Sequence, residues 1–365
     1  MKVYLSPPVM NGDLERRLVG EAFDSGYVAP CGPMVDRFER AAAERFGFRH
    51  TLATVSGTMA LELIARAMKI QPGDVVVVSD LTFIGSVTAF ASLGAKPVFV
   101  GADPATWCMS PRLLKEALRR YPEAKAVIAT DLYGQSCDVD ALAKCCELYG
   151  TKLIVDAAES VGATYRDRPS GTGAWAAVYS FNGNKIITTG GGGMLLSDDA
   201  ALMNLCRKLA AQAREPFPWY EHTMLGTHGR LGNIPAAIGV GQLQCLQDAL
   251  RDKAAVWEAW KARLATCAWA TLMPTATYGV PNRWLTVITL DGIEPQVAVD
   301  VLAQHGIEAR PVWKPMHLQP VFTSCDCFLD GVDEQLFARG LCLPSGRNLS
   351  LETIDEVVKI LESLC

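Results

Sequence analysis

The sequence lacks the features that mark membrane, secreted and nucleic-acid-binding proteins. Its 365 residues contain no apolar run near the roughly twenty residues that a membrane span requires. The segment Met1 to Pro8 has no signal-peptide core. With 39 acidic and 34 basic residues, the net charge of −5 argues against nucleic acid or an anionic membrane as the main partner. We therefore expect a soluble, cytoplasmic protein that acts on small molecules.

Paired cysteine motifs are also missing, although the chain contains 12 cysteines. Cys145 and Cys146 are adjacent, and a single residue separates Cys325 from Cys327. Neither pair has the C-x-x-C spacing of a zinc site. We expect reduced thiols that pack as small hydrophobic side chains, and no bound metal.

A dinucleotide-binding glycine motif is absent as well. No G-x-G-x-x-G sequence opens a helix after the first predicted strand, which argues against a nicotinamide-dependent oxidoreductase. The run Gly190 to Gly193 leads instead into the apolar residues Met194 to Leu196. Such a run favours close backbone approach around a ligand.

What the sequence does contain is an alternation of short apolar runs and amphipathic segments. This pattern predicts a mostly parallel sheet covered by helices. The predicted strands are Leu52–Val55, Val75–Val78, Pro97–Val100, Ala126–Ala129, Lys152–Asp156 and Gly193–Leu196. The predicted helices between them are Thr58–Met68, Phe83–Leu93, Ser110–Arg119 and Asp138–Leu148.

The alternation changes past about residue 198. Long helices are predicted over Ile234–Leu250 and Ala254–Ala265, followed by a strand over Trp284–Ile288 and helices over Pro295–Gln304 and Ile354–Leu364. We therefore expect a large domain over residues 1–240 and a smaller α/β domain over residues 241–365.

Two residues near the middle of the chain suggest a specific chemistry. Asp156 ends an apolar strand, and in open α/β sheets ligands bind beyond the carboxyl ends of the strands. Lys185 lies between another apolar strand and the glycine run. A lysine amine and a buried carboxylate are what pyridoxal phosphate chemistry needs, the first for the aldehyde and the second for the pyridine nitrogen. The alternatives are a helix N-cap for Asp156 and a solvated loop lysine for Lys185.

The run Asp156 to Ser160, with Ser180 five places before Lys185, resembles the DegT/DnrJ/EryC1/StrS sugar-nucleotide aminotransferases. The resemblance extends over nearly the whole chain. It implies the fold type I of pyridoxal phosphate enzymes, an aspartate aminotransferase-like α/β fold with a large cofactor domain and a smaller C-terminal domain. It also implies a homodimer with shared active sites. In sugar dehydratases of this family a histidine replaces the Schiff-base lysine, so Lys185 argues against that activity.

The resemblance assigns a set of residues to the cofactor. Lys185 and Asp156 are the expected catalytic residues. The expected pyridoxal 5′-phosphate site comprises Ser56, Gly57, Thr58, Phe83, Asp156, Glu159, Ser180, Lys185 and His228. By themselves, Ser56 to Thr58 could be an ordinary capped helix start, Phe83 a core residue, and Glu159 a member of a salt bridge. His228 departs from the family, because relatives carry an asparagine there that reaches the neighbouring subunit's cofactor phosphate.

Substrate residues are also expected by resemblance, here to the branch of the family that acts in the bacillosamine pathway. They are Asn184, Arg230, Arg283, Arg310, Trp313 and His317. The implied reaction transfers the amino group of L-glutamate to C4 of a UDP-linked 4-keto-6-deoxy-N-acetylhexosamine. The alternatives are another nucleotide sugar, such as a GDP-perosamine or pseudaminic acid precursor, and a non-catalytic pyridoxal-binding regulatory protein. No helix-turn-helix pattern favours the last of these.

Overall fold

The structure is a computed structural model that describes residues 3–365. Its strands, in chain order, are β1 His50–Thr54, β2 Val75–Ser79, β3 Lys96–Val100, β4 Ala126–Thr130, β5 Lys152–Asp156, β6 Thr164–Tyr165, β7 Arg168–Pro169, β8 Ala176–Ser180, β9 Gly193–Ser197, β10 Ala270–Leu272, β11 Gly279–Val280, β12 Thr286–Leu290, β13 Arg310–Pro311, β14 Cys327–Phe328 and β15 Gly340–Leu343. Short 3₁₀ turns span Met316–Leu318 and Pro320–Phe322.

The helices, in chain order, are α1 Asp13–Asp24, α2 Pro33–Phe46, α3 Gly57–Ala67, α4 Gly85–Ala91, α5 Pro111–Arg120, α6 Val139–Glu147, α7 Ala200–Ala210, α8 Asn233–Gln244, α9 Leu246–Leu264, α10 Pro295–Gln304, α11 Val332–Arg339 and α12 Leu351–Glu362. Among the helices of residues 3–365, none is long and apolar enough to cross a lipid bilayer.

The central sheet has eight strands in the order β1-β9-β8-β5-β4-β2-β3-β14. All neighbouring pairs from β8 to β14 are parallel, whereas β9 runs antiparallel to both β8 and β1. The sheet is therefore mostly parallel, as the sequence predicts. The carboxyl ends of β2, β4, β5 and β8 consequently lie along one edge.

Helices cover both faces of this sheet because alternate strand residues point to opposite sides. Val76 and Val78 pack in one apolar cluster with α3, α4 and α7. Val77, between them, packs in the other cluster with residues of α2, α5, α6 and α8. Burial on both faces explains why these strands read as continuous apolar runs.

A separate apolar core, distinct from the two clusters on the central sheet, lies around a four-stranded sheet with the order β10-β12-β15-β13. The C-terminal part of α9 packs there through Val256 and Trp260, together with residues of α10 and α12. The amino-terminal end of the described chain joins this part, since Val3 N–H donates to the Gly306 carbonyl at 3.0 Å. The expected fold class is confirmed; the boundary between residues 240 and 241 stays a prediction.

Some elements differ from the sequence-based expectations. The two helices predicted over Ile234–Leu250 and Ala254–Ala265 meet earlier, at Cys245. The break falls at a turn without glycine or proline, so no local residue marks it. The sequence interpretation also missed α1, α2 and α7, which surround the large sheet.

Gly193 connects the sheet to the start of α3 and gives a prediction about stability. A side chain at Gly193 would collide with the backbone of Ser56 and Gly57, while one at Gly191 would meet open space. We expect Gly193→Ala to lower the free energy of unfolding by about 1–3 kcal/mol, the usual cost of overpacking. Gly191→Ala is the matched control. Urea unfolding of both variants measures the difference, and equal stability would contradict the close approach.

Candidate active site

Lys185 lies in the turn between β8 and β9, where its N–H donates to the Asn182 carbonyl at 3.0 Å. Its side chain is only 13% exposed, and Nζ lies 3.8 Å from Oε1 of Glu159. The ring of Trp284 faces the same amine, with its centroid 3.9 Å from Nζ. Burial lowers the pKa of Lys185, while the charges of Glu159 and Asp156 act in the opposite direction. Lys185 is therefore a buried amine, not a solvated loop lysine.

Asp156 is the last residue of β5 and is buried at the carboxyl edge of the sheet. The Ser86 hydroxyl donates to its Oδ2 at 2.5 Å, and the Ala158 N–H donates to its Oδ1 at 3.2 Å. No helix begins after Asp156, so the N-cap alternative does not apply. Burial raises the pKa of this carboxyl, and the hydrogen bond from Ser86 lowers it in part.

A series of hydrogen-bonded hydroxyl groups holds the Asp156 carboxylate in place. Because Ser86 donates its proton to Asp156, the 2.7 Å contact between Thr82 and Ser86 makes the Thr82 hydroxyl the donor. The Thr130 hydroxyl donates in turn to Thr82 at 2.7 Å. Thr130 ends β4 and Ser86 lies on α4. The sequence analysis did not find these three residues, although Thr130 directly follows the predicted strand Ala126–Ala129 and its position offered a signal.

Glu159 is held by the turn that follows β4. The Tyr133 N–H donates to its Oε2 at 2.7 Å, which leaves Oε1 on the side of Lys185. Tyr133 adopts a left-handed backbone conformation with φ of 51°, which is costly for an aromatic residue. Its hydroxyl accepts a hydrogen bond from the Trp313 N–H at 2.8 Å. Burial raises the pKa of Glu159 to about 7, against the effect of the Lys185 charge.

The start of α3 forms another wall of the same site. Ser56 is its N-cap, with a hydroxyl that accepts from the Met59 N–H at 3.0 Å. Gly57 and Thr58 follow in the first turn, where backbone N–H groups point out of the helix end. Helix ends of this kind attract phosphate through these donors and through the helix dipole.

These groups enclose a cavity of about 240 Å³. Ten of the predicted site residues line it: Ser56, Gly57, Thr58, Phe83, Asp156, Glu159, Ser180, Asn184, Lys185 and Trp313. Phe83 is 53% exposed and therefore not a core residue. Thr130 and Trp284 also line the cavity, and neither is among the predicted site residues.

A larger cavity of about 390 Å³ adjoins the first and shares Asn184, Trp284 and Trp313 with it. Arg310 lines this second cavity, together with the segment from residues 4 to 8. Most of the remaining wall is aromatic or apolar. The two cavities together offer one space for a reacting group and another for an extended ligand.

Four predicted residues line neither cavity: His228, Arg230, Arg283 and His317. His317 bridges two carboxylates, with Nδ1 at 2.7 Å from Asp80 and Nε2 at 3.2 Å from Glu334. The Arg283 guanidinium lies 3.5 Å from the centroid of the Trp257 ring.

The other two residues, His228 and Arg230, are separated by one residue, and each forms an isolated backbone bridge, His228 with Ala211 and Arg230 with Thr54. His228 is exposed. The buried Nε of Arg230 has no hydrogen-bond partner within residues 3–365.

The donor set of the smaller cavity fits pyridoxal phosphate. A buried amine of lowered pKa suits an aldehyde, a buried carboxylate suits a protonated pyridine nitrogen, and a capped helix start suits a phosphate. The half-exposed ring of Phe83 offers an aromatic surface for a planar ligand. Within residues 3–365, no group of three His, Cys, Asp or Glu side chains could hold a metal ion.

Comparisons with known proteins agree with this chemistry. EpsN of Bacillus subtilis, whose name describes a candidate pyridoxal phosphate-dependent aminotransferase, is 43% identical over 99% of this chain and 95% of its own. A GDP-perosamine synthase of Caulobacter vibrioides is 35% identical over 100% of this chain and 98% of its own. The crystal structure of the aminotransferase TlmJ from Streptoalloteichus hindustanus superimposes with a TM-score of 0.92 at 28% identity, and all of both chains is covered.

The sequence profile of one family matches residues 10–362, almost the full length of the chain. This match and the full-length relatives show that the protein belongs to the DegT/DnrJ/EryC1/StrS aminotransferase family, whose cofactor is pyridoxal phosphate.

Proposed function

We propose that the protein transfers the amino group of L-glutamate to C4 of a UDP-linked 4-keto-6-deoxy-N-acetylhexosamine. The observation that carries the proposal is the buried amine of Lys185, which faces two buried carboxylates in a cavity that adjoins a larger one. Family membership supports the amino transfer. The UDP sugar and the donor rest on the resemblance of the second half of the chain to the bacillosamine-pathway branch.

In this proposal Lys185 would hold the cofactor and move a proton. Bound pyridoxal phosphate would supply a protonated ring as an electron sink for amino transfer. Nζ of Lys185 would hold the aldehyde end of the cofactor and, once the amine of glutamate has taken its place, would act as the base that accepts and returns the substrate proton. A buried amine suits this role because its lowered pKa favours the neutral, proton-accepting form.

The other cavity residues bind and orient. Asp156 would accept the hydrogen bond of a protonated pyridine nitrogen, and Ser86 keeps its carboxylate in place. Glu159 would accept or donate a proton near the cofactor's phenolic oxygen, and its pKa of about 7 allows both states. Ser56, Gly57, Thr58 and Ser180 would hold the phosphate, and Phe83 would offer its ring to the cofactor.

Asn184, Arg310 and Trp313 are the proposed substrate residues with the strongest support, because they line the larger cavity. Arg310 supplies a cation for a pyrophosphate, and Trp313 a surface for a sugar or base. Arg230 has an unused buried donor and fits an anionic group of a substrate. Arg310 also pairs with Glu308 at 2.9 Å, but it lines the larger cavity. Arg283 and His317 line neither cavity and are held by other partners, so their support is weaker.

We also propose a homodimer in which His228 reaches the cofactor phosphate of the neighbouring subunit. An imidazole can donate a hydrogen bond in place of the asparagine of relatives. The segment from residue 217 to residue 225 supports an interface, because Trp219, Tyr220 and Leu225 are exposed apolar side chains on it. Leu225 is 88% exposed, which is unusual for a leucine unless another chain covers it.

The second candidate substrate is a GDP-linked keto sugar. The 35% identity to a GDP-perosamine synthase over 98% of that protein's length favours it. Incubation with glutamate and a panel of UDP-, GDP- and TDP-linked 4-keto sugars, read by mass spectrometry, distinguishes the candidates. We expect amine transfer to the UDP-linked N-acetylhexosamine. Transfer only to the GDP sugar would favour the second candidate, and no transfer to any sugar would contradict both.

The first prediction from this mechanism concerns Lys185. Borohydride reduction of the cofactor-loaded protein should attach the cofactor to Lys185 alone, because no other lysine lines the smaller cavity. Lys185→Ala should lose this attachment and all turnover. Lys208→Ala removes a lysine that pairs with Glu215 outside the cavity and is the control. Peptide mapping by mass spectrometry checks the site, and label on another lysine would contradict the assignment.

The second prediction concerns Asp156. Asp156→Asn should still bind the cofactor but turn over at least about a hundredfold more slowly, since electrostatic terms of this kind are commonly worth roughly 3 kcal/mol or more. An amide cannot supply the negative charge that keeps a pyridine nitrogen protonated. Asp199→Asn changes a helix cap on α7 and is the control for amide replacement. Near wild-type turnover of Asp156→Asn would exclude the proposed role.

A further inference from the structure

Lys253 is a buried lysine that the proposed chemistry does not use. It lies on α9 with 3% of its surface exposed. Its Nζ donates to the Ser6 hydroxyl at 3.0 Å, to the Trp284 carbonyl at 2.9 Å and to the Ser345 carbonyl at 2.5 Å. Three N–H groups thus meet three oxygens, which is the full donor capacity of an ammonium group.

This arrangement is costly for stability alone. Within residues 3–365 none of the salt bridges includes Lys253, so the buried ammonium group faces only neutral oxygens. Burial, together with a smaller effect of the Arg347 charge, lowers its pKa to about 7. A buried charge without a counter-ion costs free energy that an apolar side chain of similar length would not. A function for the three hydrogen bonds would explain why a lysine occupies the position.

Two of the three partners of Lys253 converge on one atom next to the active-site lysine. The Ser6 hydroxyl donates to the Asn184 carbonyl at 3.0 Å. The indole N–H of Trp284 donates to the same oxygen at 2.6 Å. Both lone pairs of this carbonyl are therefore engaged. Asn184 directly precedes Lys185, so these two bonds fix the backbone from which the reacting amine extends.

Trp284 also acts on the amine itself. Its ring centroid lies 3.9 Å from Nζ of Lys185, and its backbone carbonyl is bound by Lys253. The ammonium group of Lys253 thus holds Trp284, whose ring packs against the Lys185 amine. Through Ser6 it also holds the Asn184 backbone that precedes Lys185. The partners come from distant parts of the chain: the amino-terminal segment, the residues before β12 and the residues after β15.

We propose that Lys253 is a positioning residue for Lys185, which acts through Ser6 and Trp284 on the Asn184 carbonyl. The inference rests on the proposed role of Lys185 in holding the cofactor. Lys253 itself touches neither the reacting atoms nor the cavity. Its contribution is a fixed direction of the Lys185 side chain, which speeds covalent capture of the aldehyde and proton transfer afterwards.

The test measures covalent capture of pyridoxal phosphate by the cofactor-free protein, followed through the visible absorption of the bound cofactor. Lys253→Met keeps a flexible side chain of similar length and removes the three donors. Ser6→Ala removes only the bridge to Asn184 and leaves two partners of Lys253 intact. Lys261→Met changes an exposed lysine on the same helix and is the control.

We expect Lys253→Met and Ser6→Ala each to slow capture about tenfold or more, because small misplacements of a reacting group commonly have effects of this size. The double variant should be no slower than Lys253→Met, since Lys253→Met already interrupts the path through Ser6. Lys261→Met should capture at the wild-type rate. In turnover, kcat of Lys253→Met should fall while its KM for the keto sugar stays unchanged.

Capture is measured at a temperature far below the unfolding temperature of Lys253→Met. If this variant then captures the cofactor at the wild-type rate, the proposal is overturned and Lys253 is a structural residue. If Lys253→Met does not fold, Ser6→Ala decides the question, and wild-type capture by that variant would likewise overturn it. Amide hydrogen exchange of residues 182–187 in the cofactor-free protein adds a readout without cofactor. Faster exchange in both variants than in Lys261→Met is expected.

These outcomes are distinct from a failure of the proposed function. If borohydride labels a different lysine in the wild-type protein, the role of Lys185 is wrong whatever the variants of Lys253 do. If Lys185 is labelled but capture does not depend on Lys253 or Ser6, only the positioning role is wrong.

Discussion

The structure depends on one unfavourable arrangement, the burial of an amine beside two carboxylates. Lys185, Glu159 and Asp156 share a cavity wall, and burial shifts the pKa of each towards its neutral form: downwards for the amine and upwards for both acids. Such a cluster costs folding free energy and persists only when the surrounding structure fixes it. In return it raises the share of the neutral amine, which is the form that can react with an aldehyde.

The fold meets this requirement by bringing rigid elements to one edge of a sheet. Asp156 ends β5, while Lys185 and the start of α3 lie beside the carboxyl ends of neighbouring strands. The hydroxyl chain from Thr130 to Ser86 and the strained turn at Tyr133 then fix the two acids. Trp284, which lies just before β12 of the smaller sheet, lines the remaining side of the cavity.

Local patterns were sufficient to predict the mostly parallel sheet and to single out Asp156 and Lys185, because strand ends are visible over a few neighbouring residues. The other eight predicted residues of the cavity were assigned by resemblance to the family. Local patterns were not sufficient for Trp284 or Ser86, whose roles come from contacts with residues about 70 to 100 positions away. His317 shows the opposite case. Resemblance predicts a substrate contact, whereas its two carboxylate partners come from β2's end and α11, which no local pattern links.

The most direct test of this account is the pKa of the Lys185 amine in the cofactor-free protein. Competitive labelling of all lysines across a pH series, read by mass spectrometry of each peptide, measures it in a single experiment. The account predicts a Lys185 pKa below the ordinary lysine value of about 10.4. A pKa at or above that value would mean that the neighbouring carboxylates outweigh burial, and it would contradict the claim that the fold favours the neutral form of this amine.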